Sequence, residues 1–130
     1  MNYLSKEAII EINRKVTALS SDPFGVQNLA NLEYLVSAVQ YKYNDKPIAD
    51  QLVLKAAFIL DLIANKGHVF IEGNKRTAIT STLTFLEDND IILSDLEQKE
   101  LVKFVLSVAS GNESISSASK WLSERIKRAK

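Results

Sequence analysis

A histidine, a carboxylate and two cations whose types could do chemistry together fall within one run, His68-Val69-Phe70-Ile71-Glu72-Gly73-Asn74-Lys75-Arg76. His68 is the only histidine, and an imidazole, with a reference pKa of about 6.5, can take a proton from a hydroxyl near neutral pH. It is the obvious general base. A carboxylate at Glu72 could hold magnesium bridging two phosphate groups, because magnesium uses one or two carboxylates and completes its shell with substrate oxygens. Gly73 and Asn74 suit the opening of a helix, whose first backbone N–H groups lack partners and point at an anion along the helix dipole. Lys75 and Arg76 stand at the wrong end of such a helix for cations unless an anion sits between them. A bound phosphate removes that conflict, so the run reads as a phosphate-binding catalytic loop with a nucleotide and magnesium as its ligands.

Each of these residues taken singly has a plainer reading. A histidine in a loop is commonly a surface or hydrogen-bonded residue. Glu72 could complement a helix dipole, and Lys75 and Arg76 could be solvated charges. Phe70 reads as a core anchor that fixes the loop. Zinc held by His68 and Glu72 is a rival, with no second histidine to complete it. What favours chemistry is convergence: a base, a carboxylate, an anion nest and two cations within nine residues.

Helices must position this loop, because nearly every other segment has helical periodicity. Ser5 is a candidate N-cap for a first helix carrying Ile9, Ile12 and Val16. Turn formers from Ser20 to Gly25 separate it from a second apolar stripe, Leu32, Leu35, Val36 and Val39. After Asn44-Asp45-Lys46-Pro47, the residues Val53, Ala56, Ala57, Leu60, Ile63 and Ala64 give a broad apolar face suited to a largely buried third helix, with Gly67 as its cap. A fourth helix opens near Asn74, buries Ala78, Ile79, Leu83, Phe85 and Leu86, and frays at Asp88-Asn89-Asp90. The fifth opens at Ser94, with Glu97 at capping-box spacing, and closes at Gly111. The last opens between Ser114 and Ser117 and carries Trp121, Leu122 and Ile126 into a basic tail. One short extended piece is expected around Tyr41 to Ile48. The expected fold class is all-α, a compact single-domain bundle of about six helices.

A chain of 130 residues suffices for one domain and one core. With 46% hydrophobic and 25% charged residues it resembles neither a disordered segment nor a coiled coil. Sixteen basic and sixteen acidic side chains cancel, which removes the electrostatic reason to expect nucleic-acid or acidic-membrane binding and favours a protein or small-molecule partner. The absence of cysteine excludes disulfides and thiolate metal sites. The longest apolar stretch, Leu52 to Ala64, is broken by Lys55 and Asp61, and the N-terminus lacks a signal-peptide pattern, so a cytoplasmic location is expected.

HVFIEGNKRTA resembles the signature of the Fic/Doc superfamily, H-x-F-x-[DE]-[GA]-N-[GK]-R, at every defined position. The segments ITSTLTFLEDNDI and SVASGNESISSASKWL resemble the corresponding parts of death-on-curing (Doc) toxins, and together with the upstream helix the likeness covers about half to two-thirds of the chain. Adenylylating Fic enzymes usually have glycine where Lys75 stands and a second arginine where Ile79 stands; both differences point toward Doc. That arginine helps seat the distal phosphates for AMP transfer, and its loss removes a strong charge-assisted contact. The resemblance therefore implies a reversed ATP that presents its gamma-phosphate, making the protein a kinase of Ser/Thr hydroxyls with ATP and magnesium as cofactors.

Carried over, the family pattern implies that His68 activates the target hydroxyl, Phe70 anchors the loop and Glu72 holds magnesium. Gly73 and Asn74 would form the anion nest with backbone and side chain, while Lys75 and Arg76 bind phosphates. Lys66 is a further candidate beside the loop, where dipole compensation explains it equally well. Val69 replaces the proline common in Fic proteins and supplies no reacting group. The stretch from Lys42 to Pro47 lies where the superfamily docks its target beside a flap. No glutamate has serine or threonine four residues ahead of it, so the inhibitory pattern [ST]-x-x-x-E-[GN] is absent. The resemblance implies restraint by a separate antitoxin and a translation elongation factor as target. Rival readings are adenylylation by the same loop, a non-catalytic nucleotide- or protein-binding module, and hydrolysis of a phosphorylated substrate.

Overall fold

The computed structural model describes residues 1–93 and 98–128. Among the described residues six helices carry the architecture: α1 (Lys6–Leu19), α2 (Leu29–Ala38), α3 (Ile48–Asp61), α4 (Asn74–Glu87), α5 (Gln98–Ala109) and α6 (Ile115–Ser123). A π-helical turn, Leu62–Lys66, continues α3 toward the His68 loop. The all-helical expectation holds, apart from two three-residue strands.

Local chemistry sets the helix starts. The Ser5 hydroxyl accepts from the Ala8 N–H at 3.1 Å, and Ser114 and Ser117 close a reciprocal capping box at the start of α6. α2 is capped by Asn28, whose side chain accepts from the Asn31 N–H at 3.0 Å. The Ser94 and Glu97 cap expected for α5 lies outside the described residues.

α3 is the central element and packs against α4, α5 and α6. Val53, Ala56, Ala57, Phe58, Ile59 and Leu60 are all buried, as the breadth of its apolar face requires. Lys55 is also fully buried; its ammonium donates to the Val39 carbonyl at 2.7 Å, the Asn44 Oδ1 at 2.7 Å and the Tyr3 hydroxyl at 2.8 Å. A buried cation is tolerated when its donors are all used, and here they close the C-terminal end of α2.

Two expectations are corrected. The stretch from Tyr41 to Ile48 is not extended but turns, with Tyr43 in the left-handed region at φ 67°. Ile126 does not belong to the last helix: α6 stops at Ser123, and Ile126–Arg128 (β2) pairs antiparallel with Ile91–Leu93 (β1). Strands this short carry little period-2 signal, and pairing partners so distant in sequence leave no local trace. Gly67 does cap a helical turn, but with φ −85°; its absent side chain matters because a Cβ would lie 2.6 Å from the Leu62 carbonyl oxygen.

Candidate active site

The loop between the π-helical turn and α4 is built so that its backbone is fixed while its charged tips face solvent. Val69 and Phe70 are buried, at 0% and 1% exposure, whereas His68, Glu72, Lys75 and Arg76 are exposed. The backbone is held from the segment preceding α2. The Val69 carbonyl accepts from the N–H groups of Gln27 and Asn28 at 2.7 and 3.0 Å, and the Ile71 N–H donates to the Gly25 carbonyl at 3.0 Å. Asn31 donates to the Gly67 carbonyl at 2.7 Å. Between these ties His68 takes a left-handed φ of 45°, a conformation that costs roughly 1–3 kcal/mol in a residue with a Cβ and persists only where its surroundings enforce it.

Asn74 locks the turn from within. Its Oδ1 accepts from the Phe70 N–H at 3.0 Å and its Nδ2 donates to the Phe70 carbonyl at 2.8 Å. The Asn74 side chain is thus tied to Phe70, which leaves one Nδ2 hydrogen and the backbone N–H for a ligand. Gly73 supplies the N-cap position at φ 77° and offers no capping side chain. The first N–H groups of α4 are therefore left for an anion.

Sequence reasoning passed over the residue that holds this turn from below. Asn13, fully buried on α1, donates to the Glu72 carbonyl at 2.8 Å and to the Thr77 hydroxyl at 2.9 Å. The available signal was a polar residue on the same apolar face as Ile9 and Val16. Replacing Asn13 by alanine leaves a partly buried carbonyl without its donor, so the fold loses about 1–3 kcal/mol of stability in urea titration.

Glu72 and Lys75 stand with Arg76 around a cavity of about 270 Å³ that Ile71, Gly73 and Asn74 complete. Among the described residues no three histidine or acidic side chains gather to hold a metal by themselves. A divalent cation here would combine the single Glu72 carboxylate with oxygens of its own ligand, which fits magnesium carried in with a nucleotide. Lys66 is turned elsewhere: its ammonium pairs with Asp61 at 3.1 Å.

Arg76 is already engaged. Its guanidinium donates to the Val16 carbonyl at 2.9 Å, the Ser20 hydroxyl at 2.7 Å and the Asp22 carboxylate at 2.9 Å. The Ser20 hydroxyl and Arg76 together hold the Asp22 carboxyl below its ordinary value of 3.8. Because the folded pKa is depressed, whatever stability the pair adds is present above the unfolded value and is lost as pH falls through the lower folded one. Near neutral pH the contact is constant. Asp22 orients Arg76 yet would repel a phosphate bound there, so, should the loop hold ATP, Asp22→Asn is expected to tighten its binding roughly two- to fivefold by calorimetry, with little change in stability because the pair is exposed.

On the face of α4 that also carries Lys75 and Arg76, the position of Ile79 is apolar and packed. It lines, with Leu101, Val102, Val105 and Leu106 of α5, a groove of about 190 Å³ that reaches Lys75 and Arg76. The described helices include none long and apolar enough to cross a membrane.

The sequence model of the Fic/DOC family matches residues 3–86. A relative described as "Protein kinase doc", from Escherichia phage P1, is 27% identical over 122 residues, covering 94% of each chain.

Proposed function

Because this chain belongs to the Fic/DOC family, on its Doc side, we propose that it is a Doc-like toxin that transfers the gamma-phosphoryl group of ATP to a Ser/Thr hydroxyl of a protein. The observation that carries the proposal is the uncapped N-terminus of α4 at Gly73, flanked by Glu72, Lys75 and Arg76 and joined by a rigid turn to an exposed His68. The gamma-phosphate lies against the N–H groups of α4 and the cations of Lys75 and Arg76. Glu72 would hold magnesium brought in with the nucleotide, and the ion would supply neutralisation of charge developing on the phosphates. The His68 imidazole takes the proton of the acceptor hydroxyl as its oxygen forms the new bond to phosphorus; the bond to the bridging oxygen breaks and ADP leaves.

Phosphoryl rather than nucleotidyl transfer is favoured by Lys75 and Ile79. A basic side chain sits in the first turn of α4, and the next turn presents an apolar contact to α5 instead of a guanidinium. The relative named a protein kinase supports the same choice. We take the target to be a translation elongation factor and the restraint to be a separate antitoxin. The apolar groove between α4 and α5, with Val102 and Leu106 about half exposed (47% and 48%), suits an antitoxin helix laid beside Arg76. Mass spectrometry of an acceptor recovered after expression without antitoxin tests the reaction: a phosphoryl adduct agrees, and an adenylyl adduct overturns it.

A further inference from the structure

The Ser20 hydroxyl belongs to a group of side chains that transfer at His68 does not use. It donates to the Asp22 carboxylate at 2.7 Å and accepts from the Arg76 guanidinium at 2.7 Å, while that guanidinium also donates to Asp22 at 2.9 Å. A nucleophile, a base and a cation therefore close one hydrogen-bonded triangle, the relation expected of groups that act together. Ser20 is exposed, and Arg76 also lines the cavity at Glu72 to Lys75. One guanidinium thus borders the phosphate cavity and touches a hydroxyl of its own chain. The Ser107 and Ser117 hydroxyls also donate to a carboxylate, Glu113, at 3.1 and 2.7 Å, but among the described residues neither bonds to the loop.

The turn after α1 holds this triangle in place. The Asp22 N–H donates to the Thr17 carbonyl at 2.9 Å, and Ser21 takes a left-handed φ of 58° between the two reacting side chains. The Ser20 hydroxyl and Arg76 keep the Asp22 carboxyl below its ordinary value, so it is ionised near neutral pH and open to a proton. Such a carboxylate is a weak base. Phosphoryl transfer asks little of its base, and an aspartate accepts the hydroxyl proton in the catalytic loop of protein kinases.

We propose that Ser20 is a self-modification site, phosphorylated by the ATP bound at the loop of the same chain with Asp22 as base. The Ser20 Oγ forms the new bond to the gamma-phosphorus, the bond to the bridging oxygen breaks, ADP leaves, and the hydroxyl proton passes to Asp22 and on to water. The phosphoserine then pairs with Arg76 and repels Asp22, so the modified chain has lost a contact for its next ATP and restrains itself. The inference rests on ATP donating its gamma-phosphoryl group at this loop, and not on His68.

The test uses the purified full chain, with and without antitoxin-free lysate, and ATP labelled at the gamma or the alpha position. Electrophoresis separates the chain from lysate acceptors, and mass spectrometry places the label. The gamma label alone should reach Ser20, at a rate per chain that stays constant on dilution. Ser20→Thr should retain the label and Ser20→Ala lose it. Asp22→Asn should bind ATP more tightly yet label itself about a hundredfold more slowly, a split between binding and rate that loss of structure does not produce. His68→Asn should still label itself while failing to label acceptors. The phosphorylated chain should bind ATP about tenfold more weakly, the loss of one charge-assisted contact; equal affinity overturns the restraint. Labelled acceptors with no label at Ser20 overturn the inference and leave the proposed function standing, as does a self-labelling rate that rises with chain concentration or is lost in His68→Asn. Label on no protein, or alpha label at Ser20, overturns both.

Discussion

With His68 as the proposed general base, replacing it should lower group transfer by roughly a hundredfold to ten-thousandfold, the usual effect of removing such a group. ATP binding and stability should change little, because the side chain is exposed and the loop is held by its neighbours' backbone. Alanine must also adopt the left-handed φ of 45° at this position. His68→Asn is therefore the cleaner variant, since asparagine tolerates that backbone and cannot act as a base. Initial rates of phosphate incorporation, with calorimetric ATP binding as the control, measure the effect. An unchanged rate in both variants would assign the loop to nucleotide sensing or protein binding rather than to catalysis.

The second large effect is on folding. Phe70 is 1% exposed, in the middle of the loop, and its backbone N–H and C=O are the two groups that Asn74 grips. Truncating it to alanine should cost about 3–5 kcal/mol in urea or thermal unfolding, a large share of the 5–15 kcal/mol or so that typically holds a domain together. Transfer should fall with it, because His68 and Glu72 hang from either side of the anchor. The contrast is diagnostic: His68 variants lose rate at constant stability, whereas Phe70→Ala loses both. A cost below about 1 kcal/mol would mean that the ring does not anchor the turn.

The helices were readable because their starts and faces are local features. Ser5, Ser114 and the broad stripe on α3 announce themselves in a few consecutive residues. The chemical groups of the site were readable for the same reason, since His68, Glu72, Lys75 and Arg76 fall within one run. What holds them was not. Asn13, Asp22, Gln27, Asn28 and Asn31 reach the loop or its helix across long stretches of chain, Gln27 and Asn28 through backbone N–H groups, and no local pattern marks such contacts. Lys55 seemed only to interrupt an apolar run; tertiary packing makes it the clasp of the α2 end. The β1–β2 pair joins residues 91–93 to 126–128, a register fixed by the way α5 and α6 return the chain rather than by propensity.

The central claim is that a hydroxyl of another protein receives the gamma-phosphoryl group of ATP at His68. Incubation of the purified chain with antitoxin-free lysate and either gamma- or alpha-labelled ATP tests it most directly. The gamma label alone should appear on an acceptor protein, and His68→Asn should abolish it. Incorporation of the alpha label would contradict the claim and assign the loop to nucleotidyl transfer.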